Sequence, residues 1–201
     1  MKTQKSATIS YVIMDFCVSL HHDNKINLTQ NLSSMTTDVR LYTLNYDEAK
    51  TYLWATAFVV ANTLLPQLFH LIPEGGIIFA PLSFVILTGA YKLGWKTGLL
   101  AALASPIVNN LLWGAPVWGV IPVMALKLAF LALAAGLTAQ YFKKVTIPLL
   151  IGVVLVSELL GALAELALTD GIAATIADFT IGWPGLLLQM FGTWALLRIW
   201  R

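Results

Sequence analysis

The chain has 201 residues, 58% hydrophobic and 11% charged, where an ordinary soluble domain carries about 25% charged residues. With mean hydropathy +0.78 and seven Trp and nine Phe, that composition excludes a typical soluble globule and points to a multi-pass membrane protein. Net charge is only +2, too small to argue for a nucleic-acid partner, and a lone cysteine, Cys17, can form no disulfide within the chain.

Residues 1–50 differ from the rest. They are rich in Thr, Asn, Ser and Asp and carry balanced charge, with Lys2, Lys5, Lys25, Arg40 and Lys50 against five acids. The mildly apolar stretch from Ala7 to Leu20 is interrupted by Asp15 and has no small-residue cleavage pattern after it, unlike a signal peptide. The expectation is a cytoplasmic, poorly ordered extension over 1–50. Residues 1–34 need not belong to the native protein, since Met35 offers an alternative start.

From Tyr52 onward, apolar runs alternate with short breaks rich in Pro, Gly and charge. The pattern predicts an all-α membrane protein of six helices over residues 51–201. The first spans Tyr52 to Leu71 and ends at Pro73-Glu74-Gly75-Gly76. The second spans Ile77 to Tyr91. The third spans Thr97 to Leu112, kinked at Pro106. A turn at Trp113-Gly114-Ala115-Pro116 leads into the fourth, Val117 to Phe142. Lys143-Lys144 precedes the fifth, Val145 to Leu168, and a polar segment precedes the sixth, Ile181 to Trp200.

Loop charges orient these spans. With the N-terminus inside, Lys50, Lys92, Lys96, Lys143, Lys144, Arg198 and Arg201 all fall on the inner side. The outer loops carry Glu74, Asp170 and Asp178 but no Lys or Arg. That is the positive-inside pattern, and it predicts both termini on the cytoplasmic side of a cell inner membrane. Trp54, Trp95, Trp113, Trp118, Trp183 and Trp200 lie near span ends, where indole rings favour the interface.

Lys127 stands apart. It lies inside the run from Val120 to Leu137, about ten residues or roughly 15 Å into the fourth predicted helix. A lysine there costs about 2.5–3.5 kcal/mol to insert and needs a wet cavity or a partner. Glu158 on the fifth predicted helix is at similar depth, with Glu165 two turns further along the same face. Three readings stay open: a Lys127–Glu158 pair that fixes helix register, a ligand contact alone or with that pair, and a side chain snorkelling to the interface.

Asn109 and Asn110 either cap the third helix or bond a neighbour, or else wall a cavity and hydrogen-bond a polar ligand. Trp113, Trp118 and Trp183 are belt residues or, around an outer-facing pocket, stacking partners for a flat ligand, and Gln189 on the last helix is a further candidate. Asn62 and Gln67 read as helix-to-helix contacts. His70, near the end of the first helix, is an interface residue more often than a metal ligand. Ala57 and Ala61 form a small-xxx-small pair suited to close helix approach.

No catalytic signature survives inspection. Gly89 to Thr97 approximates a phosphate-binding loop, but Trp95 intrudes between Gly94 and Lys96, and the loop joins two apolar helices. Asp170-Gly171-Ile172-Ala173-Ala174 is similar to the opening of a membrane phosphotransferase signature but lacks the Arg and the later paired Asp. There is no H-E-x-x-H and no G-x-S-x-G. Neither enzymatic activity nor a cofactor or metal is expected.

Residues 52–200 resemble the substrate-binding S component of energy-coupling factor (ECF) vitamin transporters. The resemblance is carried by Pro81-Leu82-Ser83-Phe84-Val85-Ile86-Leu87-Thr88-Gly89-Ala90, by Gly94-Trp95-Lys96 with Gly98, and by Ala104-Ser105-Pro106. Leu111-Leu112-Trp113-Gly114, Pro122-Val123-Met124-Ala125 and Ala134-Ala135-Gly136-Leu137 extend it. It implies six helices with both ends cytoplasmic and an outer-facing cavity for a small water-soluble vitamin or precursor. It further implies docking through Ala57 and Ala61 onto a transmembrane coupling protein, with two ATPase subunits as separate chains. Relatives tend to carry an acidic residue where Lys127 stands, so ligand preference does not transfer. The alternative function is a membrane scaffold or assembly subunit without a ligand.

Overall fold

A computed structural model describes residues 44–69, 81–169 and 180–200, together with Leu41, Phe79 and Ile176. Residues 1–40, His70, Glu74, Asp170 and Asp178 lie outside the described residues, as do the start at Met35 and the breaks at 73–76 and 170–174. The described chain is α-helical with no strand. Its helices are α1 (Ala49–Phe69), α2 (Pro81–Leu93), α3 (Trp95–Trp113), α4 (Ile121–Phe142) and α5 (Ile147–Thr169). A last rod follows, made of α6 (Trp183–Leu187), a π-helical turn (Leu188–Gly192) and α7 (Thr193–Ile199).

Among the described residues, three helices are long and apolar enough to cross a bilayer: Ala49–Phe69, Ile121–Phe142 and Ile147–Leu168. The described part of α2 is apolar but only 13 residues long. On α5, Leu155, Val156, Leu159, Leu163 and Leu166 face outward. An apolar exterior of this extent suits lipid, not water.

Turn chemistry explains where the helices stop. Only Gly94, at φ 97°, separates α2 from α3, so the five-residue break expected at 92–96 contracts to one residue. Gly114, in the left-handed region, closes α3 by donating its N–H to the Asn110 carbonyl at 2.8 Å. Pro106 sits within α3, which continues unbroken around it. The fourth helix begins at Ile121 and not at Val117. Residues 118–120 form a turn, and Pro122 occupies the first helical turn, where its missing N–H costs nothing.

Helix α4 is the hub, packing against α2, α3 and α5, while α1 leans on α3 and α2 and the last rod on α2 and α5. Small residues bring the central three together. A Cβ on Gly98 would fall 2.4 Å from the Ala90 Cβ, and one on Gly136 would fall 2.3 Å from the Trp95 backbone nitrogen. Fully buried Ala90, Ala101, Ala102, Ala132 and Ala135 complete the seam. Backbones this close gain the van der Waals contact that drives association where lipid removes the hydrophobic incentive.

Lysine-rich segments gather at one end. Leu44 N–H donates to the Leu93 carbonyl (3.3 Å), and Lys96 Nζ donates to Asn45 Oδ1 (2.7 Å). Tyr91 donates its hydroxyl to the Lys144 carbonyl (2.6 Å), and Lys92 Nζ donates to the Trp200 carbonyl (2.8 Å). The start of α1, the α2–α3 junction, the α4–α5 turn and the end of α7 therefore share an end. Residues 44–48, which composition groups with the extension, are tied to the helices.

Candidate functional site

Lys127 forms an ion pair with Glu165, Nζ to Oε2 at 2.6 Å. The side chains are 22% and 12% exposed. Sequence depth points to Glu158, and the later start of α4 explains the difference. Lys127 lies six residues into α4, about 9 Å at the helical rise, and not near mid-helix. On α5, running back the other way, Glu165 is four residues from the end and Glu158 is eleven. The level of Lys127 therefore matches Glu165.

Gly161 makes the crossing possible. A Cβ there would lie 2.8 Å from Lys127 Cγ, so the lysine stem runs across a bare patch of α5. Glu158 and Glu165 flank that patch at three residues before and four after. All three positions share one helix face, and the half-buried Glu158 has an interaction of its own. The stem is covered by α5 while the ammonium meets a carboxylate, an arrangement that lets a cation stand in an apolar helix.

Asn109 is buried and makes contacts within the protein. Its Nδ2 donates to the Ser105 carbonyl (2.9 Å) and to the Asn62 carbonyl of α1 (3.1 Å). Pro66, inside α1, supplies the cause. Four residues after Asn62, it has no N–H to offer that carbonyl, so the acceptor is left for α3 to fill. Asn62 Nδ2 donates to Ser105 Oγ (2.9 Å), and Ser105 Oγ donates to the Ala101 carbonyl (2.6 Å). Asn62 thus joins helices as its sequence position suggests, while Ser105 was missed. The spacing of Pro66 from Asn62 was the available signal.

Asn110 Nδ2 donates to the Pro116 carbonyl at 2.6 Å, pinning the α3–α4 connection. Trp113, Trp118 and Trp183 are exposed. Gln189 is buried on the π turn, and its Oε1 has no hydrogen-bond partner among the described residues. Thr88 and Thr193 hydroxyls lie 3.2 Å apart between α2 and α7, a polar contact that single-residue reading did not find. On α1, Ala57 is exposed in line with Leu53, Val60, Leu64 and Leu68, whereas Ala55 is buried and Ala61 is half-buried against the core, so the two alanines of the pair do not share one open face.

Two groups emerge from this geometry. Asn62, Ser105 and Asn109 form a seam between α1 and α3. Lys127 and Glu165 join α4 to α5 near the ends of those helices that lie away from the lysine-rich turns. Asn109, Asn110, Trp113 and Trp118 also sit toward that second end, being in the last turns of α3 or just beyond them. Compared with known protein families, curated proteins and solved structures, the chain matches none.

Proposed function

We propose that the chain is the substrate-binding membrane subunit of an ECF-type importer, taking a small water-soluble vitamin or precursor. It would span the inner membrane six times with both termini inside. The carrying observation is the Lys127–Glu165 pair, a cation and an anion held within apolar helices at the end opposite the lysine-rich turns. In that reading the tied ends of α1, α2 and α7 lie at the cytoplasmic face, so the pair stands toward the outside. An ammonium next to a carboxylate offers both signs to a zwitterion, or trades its partner for a ligand carboxylate. Gln189 Oε1, without a hydrogen-bond partner among the described residues, adds an acceptor on the last rod. Energy would come from two separate ATPase subunits through a membrane coupling protein docked on α1 at exposed Ala57 and half-buried Ala61.

The test is purification of the full chain followed by mass spectrometry of co-purifying small molecules, repeated with Lys127→Ala. A molecule retained by the parent and lost from the folded variant is the expected result. Equal retention would sink the assignment of Lys127 to the ligand. For docking, Ala57→Trp with Ala61→Trp should abolish uptake in cells while ligand binding persists; unchanged uptake would remove α1 as the interface.

A second reading, a membrane scaffold without ligand, is favoured by the 2.6 Å closeness of the same pair. There the charges serve register alone, and exchanging them, Lys127→Glu with Glu165→Lys, restores thermal stability lost in each single variant. Under the importer reading the exchange restores stability but not ligand retention.

A further inference from the structure

At the lysine-rich end lies a cavity of about 480 Å³ that the importer reading does not use. Leu44, Glu48, Lys50, Trp54, Lys92 and Trp200 line it. We propose that it binds the headgroup of an anionic glycerophospholipid, a phosphodiester recognised by lysine and framed by indoles. The inference rests on the chain lying in a bilayer and not on transport.

Lys92 sets the sign of the floor. It is 2% exposed, donates to the Trp200 carbonyl and stands 5.6 Å from the centre of the Trp200 ring. Position explains its tolerance there: it lies in the last turn of α2, where helix carbonyls carry partial negative charge. Lys50, exposed in the first turn of α1, supplies a second cation at the rim, where a long stem can follow a ligand. Glu48 opposes them. Its Oε1 accepts the Asn45 N–H at 3.4 Å, so part of its charge is engaged by backbone.

The walls fit an interface. Trp54 and Trp200 rings lie 5.5 Å apart, with the Phe58 ring tilted against both at 6.2 Å and 6.5 Å. Indoles favour the headgroup layer, where one side is apolar and the other wet. Exposed Tyr52 and Leu53 come two and three residues after Lys50 on α1, offering apolar surface for acyl chains. Basic pockets between helices at a cytoplasmic face select anionic headgroups by this combination. A free phosphate shares the charge but has no use for the apolar surface.

The full chain in neutral detergent should be titrated with dioctanoyl phosphatidylglycerol, and bound lipid read by native mass spectrometry and tryptophan emission. Dioctanoyl phosphatidylcholine and inorganic phosphate serve as comparisons. Saturable binding of the anionic lipid, several-fold tighter than the zwitterionic one, is expected. Lys50→Gln should weaken it about five-fold, the loss of one interfacial cation, and Glu48→Gln should tighten it. Both positions are exposed, so folding is preserved in each. Equal affinity for the two lipids, indifference to Lys50→Gln, or phosphate binding as tightly as lipid would each overturn the proposal.

Discussion

Asn109 owes its role to a residue on another helix. Because Pro66 cannot donate to the Asn62 carbonyl, the amide of Asn109 closes a gap in the α1 ladder. The dependence can be measured. Asn109→Ala alone should lower stability by about 1 kcal/mol, the worth of a net hydrogen bond. With Pro66→Ala in place, the backbone donor returns, the Asn62 carbonyl is satisfied within its own helix, and the cost of Asn109→Ala should shrink markedly. Thermal unfolding of the two single variants and the double variant checks this; additive losses would break the link. At this scale the sequence was legible in kind and not in partner. Asn62 and Lys127 stand out as polar residues in apolar runs. Which group meets each one depends on where helices begin, and a four-residue change at the start of α4 moves the mate of Lys127 from Glu158 to Glu165.

Among the elements, glycines divide into those that permit contact and those that do not. Gly136 lies against the Trp95 backbone, whereas a Cβ on Gly152 of α5 would meet nothing within 4 Å among the described residues. Gly136→Ala should therefore destabilise by about 1–3 kcal/mol through overpacking. Gly152→Ala should be neutral or stabilise by up to about 1 kcal/mol through helix propensity. Melting temperatures of the two variants in one detergent give the comparison, and equal effects would refute the close seam. Sequence pattern located the described helices to within a few residues, because Gly and Pro punctuate them. It misplaced the α4 start because Pro116 and Pro122 are both good first-turn residues. Only the structure shows that Trp118 to Val120 turn before the helix begins.

For the molecule as a whole, the gathered lysine-rich turns make a test of sidedness. Reporter fusions after Lys144 and after Arg201 should both report the cytoplasm, and a fusion within the α3–α4 connection should report the outside. Opposite reports from the first two would overturn an even number of crossings between them. Charge distribution made this arrangement readable in the sequence, since Lys50, Lys92, Lys96, Lys143, Lys144 and Arg198 are spaced by whole hairpins. Hydrogen bonds such as Lys92 to the Trp200 carbonyl and Tyr91 to the Lys144 carbonyl were not readable, because they join residues far apart in the chain.

The π turn has a consequence for phase. Gly185, Gln189, Thr193 and Leu197 are all buried along the last rod, each four residues after the one before. In an unbroken α-helix, steps of four overshoot a full rotation by about 40° each, so three steps would carry Leu197 well away from Gly185. A π turn holds more residues per revolution and winds that drift back. The rod can thus keep a single inward meridian over its whole length, with Gln189 standing at the point where the winding resets.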